Sequence, residues 1–269
     1  MTSPPDSTPV CKKRSRNRRR RSRRSSTSCG NVSESSEESR RSQQRRNAPK
    51  RSSVEEELTG EEQLQYVAMD CEMVGVGRYG TKSALARVTI VNWNCETVYD
   101  EFIRPSEPVT DYRTFVSGIT ATDLESDNTV DLETCRTQVM ELLRGKTLIG
   151  HALKNDLAAL QIWSHPWQYT RDTGKYEPFM KTRKDDGVLW PRKLKELVSE
   201  HVGTEIQIAG QPHSAHEDAC AALQLYKTVR QKWEKVMQYK IRKTAEIEEQ
   251  QQAAAVEHWP SLVPAVSAN

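Results

Sequence analysis

The sequence predicts an α/β fold, a mixed sheet with helices packed against it. Three observations carry this. Residues 66–74, 84–93 and 97–104 read as strands that follow one another directly. A short apolar strand over 147–151 ends in Gly150-His151 and leads into a helix. From Ser214 to about Glu234 the apolar residues recur at helical spacing, with a more polar continuation to Gln252.

Side chains alternate faces along a strand, so in the first one Val67, Met69, Cys71 and Met73 form an apolar face, while Asp70 and Glu72 share the other. Their Cα atoms would stand roughly 6.6 Å apart at about 3.3 Å rise per residue, close enough to share one or two cations. Left unpaired on a sheet, two such acids repel and each bears a desolvation cost. The plainer alternative is an edge strand with two solvated acids.

Asn94-Cys95-Glu96 joins the next two strands closely enough to make them an antiparallel pair. Pro105 and Pro108 break the pattern and open a loop through Ile119. Leu132, Val139, Leu142 and Leu143 mark a helix over 132–143, and Leu157, Leu160 and Ile162 another over 155–163. Residues 164–190 hold Pro166, Gly174, Pro178 and Gly187 and read as irregular. Pro191 suits a first helical position, and that helix runs to His201 before Gly203 ends it. Ser214-Ala215-His216-Glu217 matches a capping box opening the last helix, with Glu217 reaching back to Ser214.

Charge divides the chain. Residues 1–53 carry 16 Lys+Arg against 4 Asp+Glu, whereas residues 54–269 carry 24 against 33, so a segment of +12 precedes one of −9. The first has almost no large apolar residues and cannot bury enough surface to offset the entropy of ordering. The expected organisation is a disordered Arg/Ser-rich tail over 1–62, a domain over 63–237, a polar helical extension over 238–252 and a disordered tail over 253–269. Lys12–Arg24 is the densest cationic run and reads as a nuclear-localisation or nucleic-acid-binding patch. A transit peptide would need an amphipathic helix, and the first 33 residues offer almost no apolar face. The six cysteines are scattered without a Cys-x-x-Cys pair, which argues against a disulfide framework or a structural zinc site. No apolar run approaches the ~18 residues of a membrane span. The expectation is a soluble intracellular protein without membrane contact, located in the nucleus and in particular the nucleolus.

Two further acids complete the candidate site. Asp156 falls one turn into the helix after Gly150, and ligand groups in α/β sheets gather beyond the carboxyl ends of strands. Its plain reading is complementation of the helix dipole. Asp218 falls in the first turn of the last helix, where His213, in the loop before the cap, can swing its ring toward it. His216 lies inside that first turn and is expected to be solvated.

Asp70-x-Glu72, Gly150-His151 with Asp156, and His213-x-x-x-x-Asp218 resemble, in order, the three-motif signature of the DEDDh 3′→5′ exonucleases. The nearer match is the branch that contains RNA exonuclease 4 and the interferon-induced exonuclease. Asp70–Gly77, Asp111-Tyr112-Arg113-Thr114, Val116–Thr120, Arg171-Asp172-Thr173 and Tyr176 all resemble that branch, over about residues 64–235. The resemblance implies an RNase H-like fold with a mixed five-stranded sheet flanked by helices. It implies two Mg²⁺ or Mn²⁺ ions held by Asp70, Glu72, Asp156 and Asp218, with His213 as general base. It further implies release of nucleoside 5′-monophosphates from the 3′ ends of single-stranded RNA, in ribosomal RNA maturation or RNA turnover. Met73 and Arg113 resemble positions that contact the terminal nucleotide; their plain readings are core packing and a surface loop charge. Lys181–Lys193 departs from the pattern. A DNA exonuclease is one alternative, because metal-assisted chemistry at a phosphate is indifferent to the 2′-hydroxyl. A catalytically idle RNA-binding assembly factor is the other, and the presence of all four acids and His213 favours the active enzyme over it.

Overall fold

A computed structural model describes residues 57–258, with side chains through residue 254. The expected basic tail therefore lies outside the described residues except for its last six, and the expected C-terminal tail lies outside from 259 onward. Thr59 caps a single helical turn, α1 (Gly60–Gln63), and Glu62 returns the bond to the Thr59 amide. Three strands then fold as an antiparallel meander: β1 (Tyr66–Val76), β2 (Lys82–Asn92) and β3 (Thr97–Phe102). β1 outruns its expected end because the turn after it is built on close backbone contact. A Cβ on Gly75 would lie 2.7 Å from the Gly80 carbonyl oxygen, and Gly80 itself takes φ +64°.

The expected loop through Ile119 contains β4 (Val109–Asp111), which pairs with the end of β1, and the turn α2 (Thr114–Ser117). α3 (Ala121–Glu125) follows, then α4 (Leu132–Leu143), which begins where the apolar spacing puts it, with the Asp131 side chain capping Thr134 N–H. β5 (Thr147–Gly150) runs parallel to β1 and feeds α5 (Lys154–Ala159). The helix expected to reach Trp163 ends at 159, and Gln161 turns out of it at φ 56°. Within the stretch expected to be irregular, β6 (Thr170–Asp172) pairs parallel to β5, and β7 (Lys181–Thr182) with β8 (Leu189–Trp190) makes a small hairpin. α6 (Leu194–His201) starts three residues after Pro191. α7 (Ala215–His258) runs past the expected limit at Gln252, through Ala253-Ala254-Ala255, the residue type of highest helix propensity.

The main sheet has the order β3-β2-β1-β5-β6, five strands with β4 alongside β1 as a short sixth. Its faces bury different helices. Met69, Cys71, Val88, Ile90 and Leu148 meet Cys135, Val139 and Leu143 of α4. Ala68, Val91 and Ile149 meet Ala219, Leu223 and Tyr226 of α7. Buried Arg171 in β6 grips Glu234 of α7 with two hydrogen bonds of 2.7 and 2.8 Å, and the Tyr226 hydroxyl donates to the same carboxylate at 2.8 Å. No helix among the described residues is long and apolar enough to cross a membrane.

Candidate active site

The alternation of β1 turns Ala68, Asp70 and Glu72 to the face that α7 covers, and α7 begins above them. Because Asp218 is in the first turn of α7, its carboxylate descends onto the two strand acids. Asp70, Glu72, Asp218 and His213 line one open cleft of about 420 Å³. Asp156, on α5, is buried outside that lining, close enough to Asp70 to repel it and beside Cys71, the residue between the two strand acids. The chain thus brings together all five residues singled out from the sequence.

Their electrostatics are those of anions short of a counter-charge. Burial pushes Asp70 well above the carboxylate range, and Asp156, Asp218 and Glu72 add repulsion in that order. Burial and then Asp218 push Glu72 to about 8, with Arg87 opposing. Arg87 stands across the strand pair from Glu72, but its guanidinium is committed to Asp100 at 2.7 and 2.8 Å. Burial raises Asp156 to about 7 against hydrogen bonds from its own backbone and from Cys71. Burial raises Asp218 too, opposed by Gln207 and His213. None of the four acids makes an ion pair with Lys or Arg among the described residues.

A hard divalent cation fits this set. Every donor is an oxygen, the class that suits Mg²⁺ or Mn²⁺. Asp218 Oδ1 is buried with no hydrogen-bond donor, an acceptor left unsatisfied at a cost of about 1–3 kcal/mol. As placed, no three Asp, Glu, His or Cys side chains among the described residues close on a single point. The carboxylates would turn inward by side-chain rotation to share an ion.

His213 sits where the sequence places it, outside the helix. Its N–H donates to the Val116 carbonyl at 2.7 Å, and Nδ1 lies 3.6 Å from Asp218 Oδ2 with the side chain 35% exposed. Only half of the expected capping box forms. Ser214 Oγ accepts from Glu217 N–H at 3.4 Å, but the Glu217 carboxylate accepts from the Gln207 amide instead of the cap. His216 is half-buried rather than fully solvated: its Nε2 lies 3.1 Å from the Cys95 carbonyl, in the turn between β2 and β3. Met73, past a bulge in β1, is half-buried against the core, and Arg113 donates to Ser83 Oγ and the Gly80 carbonyl at 2.9 Å each. Neither lines the cleft around Asp70.

Several cleft residues carry no role in the sequence reading. Gln207 donates to Asp218 Oδ2 at 2.9 Å from a loop with no local pattern to mark it. His151, quoted only as part of a motif, lines the cleft; its Nδ1 lies 2.9 Å from Thr173 Oγ1, and burial lowers its pKa. Pro191, Arg192 and Lys193, the end of the segment that departs from the family pattern, form the opposite wall.

Comparison with known proteins agrees with this geometry. Residues 67–226 match the family described as Exonuclease (RNase T). RNA exonuclease 4 of Mycosarcoma maydis is 43% identical over 172 residues, 64% of this chain and 44% of that protein. RNA exonuclease 4 of Homo sapiens is 46% identical over 169 residues, 62% of this chain and 38% of its relative. The chain therefore spans less than half the length of these two relatives. Among solved structures, the Saccharomyces cerevisiae Pan2 pseudoubiquitin hydrolase–RNA exonuclease module in complex with AAGGA RNA is 26% identical with a TM-score of 0.54, covering 73% of this chain and 34% of that one. The sheet order, the acids on β1 and the matched span, more than half of the sequence, lead to one assignment: this chain belongs to the exonuclease family.

Proposed function

We propose that this chain is a metal-dependent 3′→5′ exoribonuclease that releases nucleoside 5′-monophosphates from single-stranded RNA. The observation that carries this is the meeting of Asp70, Glu72 and Asp218 with His213 in one open cleft, with Asp156 close to Asp70 and no Lys or Arg ion-paired to the four acids among the described residues. Two Mg²⁺ or Mn²⁺ ions held there by the four carboxylates would supply an activated water and stabilisation of the leaving 3′ oxygen. The residues do the rest. Asp70 and Glu72, fixed on a strand, set where the scissile phosphate lies. His213 accepts the proton of the attacking water; a Nδ1–H turned toward Asp218 leaves Nε2 free for it. Gln207 holds Asp218 Oδ2, which limits the freedom of that carboxylate. Met73 and Arg113 are proposed to reach the terminal nucleotide from β1 and from the turn that Arg113 braces.

RNA as substrate is supported by the names of the relatives and by the RNA-bound Pan2 module. The proposed setting is ribosomal RNA maturation or RNA turnover in the nucleus and nucleolus, supported by the basic run Lys12–Arg24. The test is turnover of 3′-labelled and 5′-labelled single-stranded RNA and DNA, side by side, with Mg²⁺, with Mn²⁺ and with chelator. The expected result is immediate release of labelled mononucleotide from 3′-labelled RNA, abolished by chelator and by Asp70→Asn. Release from the 5′ end, internal cuts or chelator-insensitive cleavage would overturn it.

A further inference from the structure

Behind α5, away from the cleft acids, lies a second concavity of about 550 Å³ that the chemistry above does not use. Three of the chain's six tryptophans line it: Trp163, Trp167 and Trp233. Trp233 is a core residue, buried and stacked on Tyr176 with centroids 4.2 Å apart. Trp163 and Trp167 are not, being 79% and 43% exposed. Such rings present large apolar planes to water and contribute little to folding where they stand.

The charge around these rings is positive. Lys154, Lys175 and Lys240 line the same space, and Lys154 and Lys240 make no ion pair among the described residues. Asp172 is the one acid on the wall. Its Oδ1 accepts from the Ala152 and Gly174 amides at 2.8 and 3.0 Å, while its buried Oδ2 accepts no hydrogen bond and lies 3.6 Å from Lys175 Nζ. Three ammonium groups against one carboxylate stand out on a body that carries a net −9 from residue 54 onward.

Exposed aromatic planes beside unpaired cations are the combination that holds single-stranded nucleic acid without reading its sequence. We propose that this trough holds the single strand upstream of the 3′ end, with bases stacked on Trp163 and Trp167 and phosphates on Lys154 and Lys240; this rests on the exoribonuclease reading above. The placement suits it. Asp218 in the cleft and Trp233 in the trough are on one helix, 15 residues and so roughly 22 Å apart along its axis. His151 and Ala152 line the cleft, and Leu153 and Lys154, the next two residues, line the trough. A strand occupying about four or more nucleotides, the lower end of single-strand site sizes, can reach from one to the other. Substrates too short to do so meet the same chemistry with a weaker grip. A hydrophobic peptide would also use the tryptophans, but it has no need of the lysines.

Two full-length variants test this, Trp163→Ala/Trp167→Ala and Lys154→Ala/Lys240→Ala, each on single-stranded RNA of 3 and of 12 nucleotides. All four side chains reach solvent, and unchanged melting temperatures check the fold. In an Asp70→Asn background the tryptophan variant should bind the 12-mer less tightly by roughly 5- to 150-fold per lost stack. The lysine variant should lower the salt slope of 12-mer binding by about 1.4. In the active background KM should rise for the 12-mer alone, with kcat and all constants for the 3-mer unchanged. Unchanged 12-mer affinity in both variants overturns the proposal, as does equal loss for 3-mer and 12-mer. Loss in the tryptophan variant with an unaltered salt slope in the lysine variant also overturns it and points to a peptide-binding face. If the parent protein cleaves neither RNA, the exoribonuclease reading fails by itself, and the trough is judged on 12-mer affinity.

Discussion

At the scale of single residues, the two histidines beside the start of α7 should separate function from structure. His213 stands in the cleft, and His216, three positions on, is turned toward the Cys95 carbonyl. His213→Ala should slow the chemical step by roughly 10²–10⁴, the usual contribution of a general base, while RNA binding in Ca²⁺ stays near normal. His216→Ala should leave turnover close to the parent and register, if anywhere, as a small drop in melting temperature. Single-turnover rates for the pair decide this, and a larger loss of rate at His216 would refute the assignment of the base. The acids give a second prediction, in stability rather than rate. Glu72 at about 8 and Asp156 at about 7 both lie above ordinary carboxylate values near 4, each raised first by burial. Between those limits the folded chain binds more protons than the unfolded one, so their stabilising contribution is full below pH ~4 and is lost as pH rises through 7–8. In chelator the melting temperature should therefore fall from pH 5.5 to 8.5. Glu72→Gln should flatten that fall, and Mn²⁺ should reverse it at the alkaline end far more than at the acid end. A melting temperature in chelator that climbs across this range would contradict the burial of uncompensated acids.

At the scale of elements, the corner between β5 and α5 sets where Asp156 stands. A Cβ on Gly150 would come within 2.4 Å of Leu153 Cδ2 and 2.9 Å of the Met69 carbonyl oxygen. The leucine tip can move aside, but the Met69 carbonyl is part of β1 and cannot. Gly150→Ala should thus cost about 1–3 kcal/mol of stability, the range for forced overpacking, and displace α5 enough to weaken Mn²⁺ binding. Calorimetry of the variant beside the parent tests both; full stability with parental metal affinity would mean that the corner has slack. Such a corner is only half legible in a sequence. The strand acids were legible because period-2 alternation is local, and α4 because its apolar spacing is local too. β4 and β6, three residues each, exist through their pairing with β1 and β5, and three residues are too few to show a period. The early end of α5 was hidden because Leu160 and Ile162 remain buried in the core after the helix has stopped, so the spacing continues where the hydrogen bonding does not. Gln207 was invisible for a similar reason. It reaches Asp218 across eleven residues of chain, from a left-handed backbone at φ 52° that no neighbouring glycine or proline announces.

At the scale of the whole molecule, the distribution of charge poses a problem for a nucleic-acid enzyme. The segment from residue 54 carries a net −9, and three of its acids line the cleft, so the body by itself repels a polyphosphate. Bound divalent cations would offset this at the reacting phosphate but not along the strand, where each contact with Lys or Arg releases counterions and makes affinity depend on salt. Residues 1–53 carry +12 and would be the largest source of that attraction. Deleting them should leave turnover of saturating short RNA unchanged, because no cleft residue is lost, while binding to long RNA weakens and loses most of its salt slope. The cationic trough at Lys154 and Lys240 is too small to replace sixteen Lys and Arg, so the residual slope should match two or three phosphate contacts, about −1.4 to −2.1. Nuclear accumulation of a fluorescent fusion should fall with the same deletion, since Lys12–Arg24 goes with it. An unchanged salt slope together with an unchanged nuclear signal would make the basic run a bystander. The −9 body would then have to hold long RNA with the lysines behind α5 and with Arg192 and Lys193 on the cleft wall.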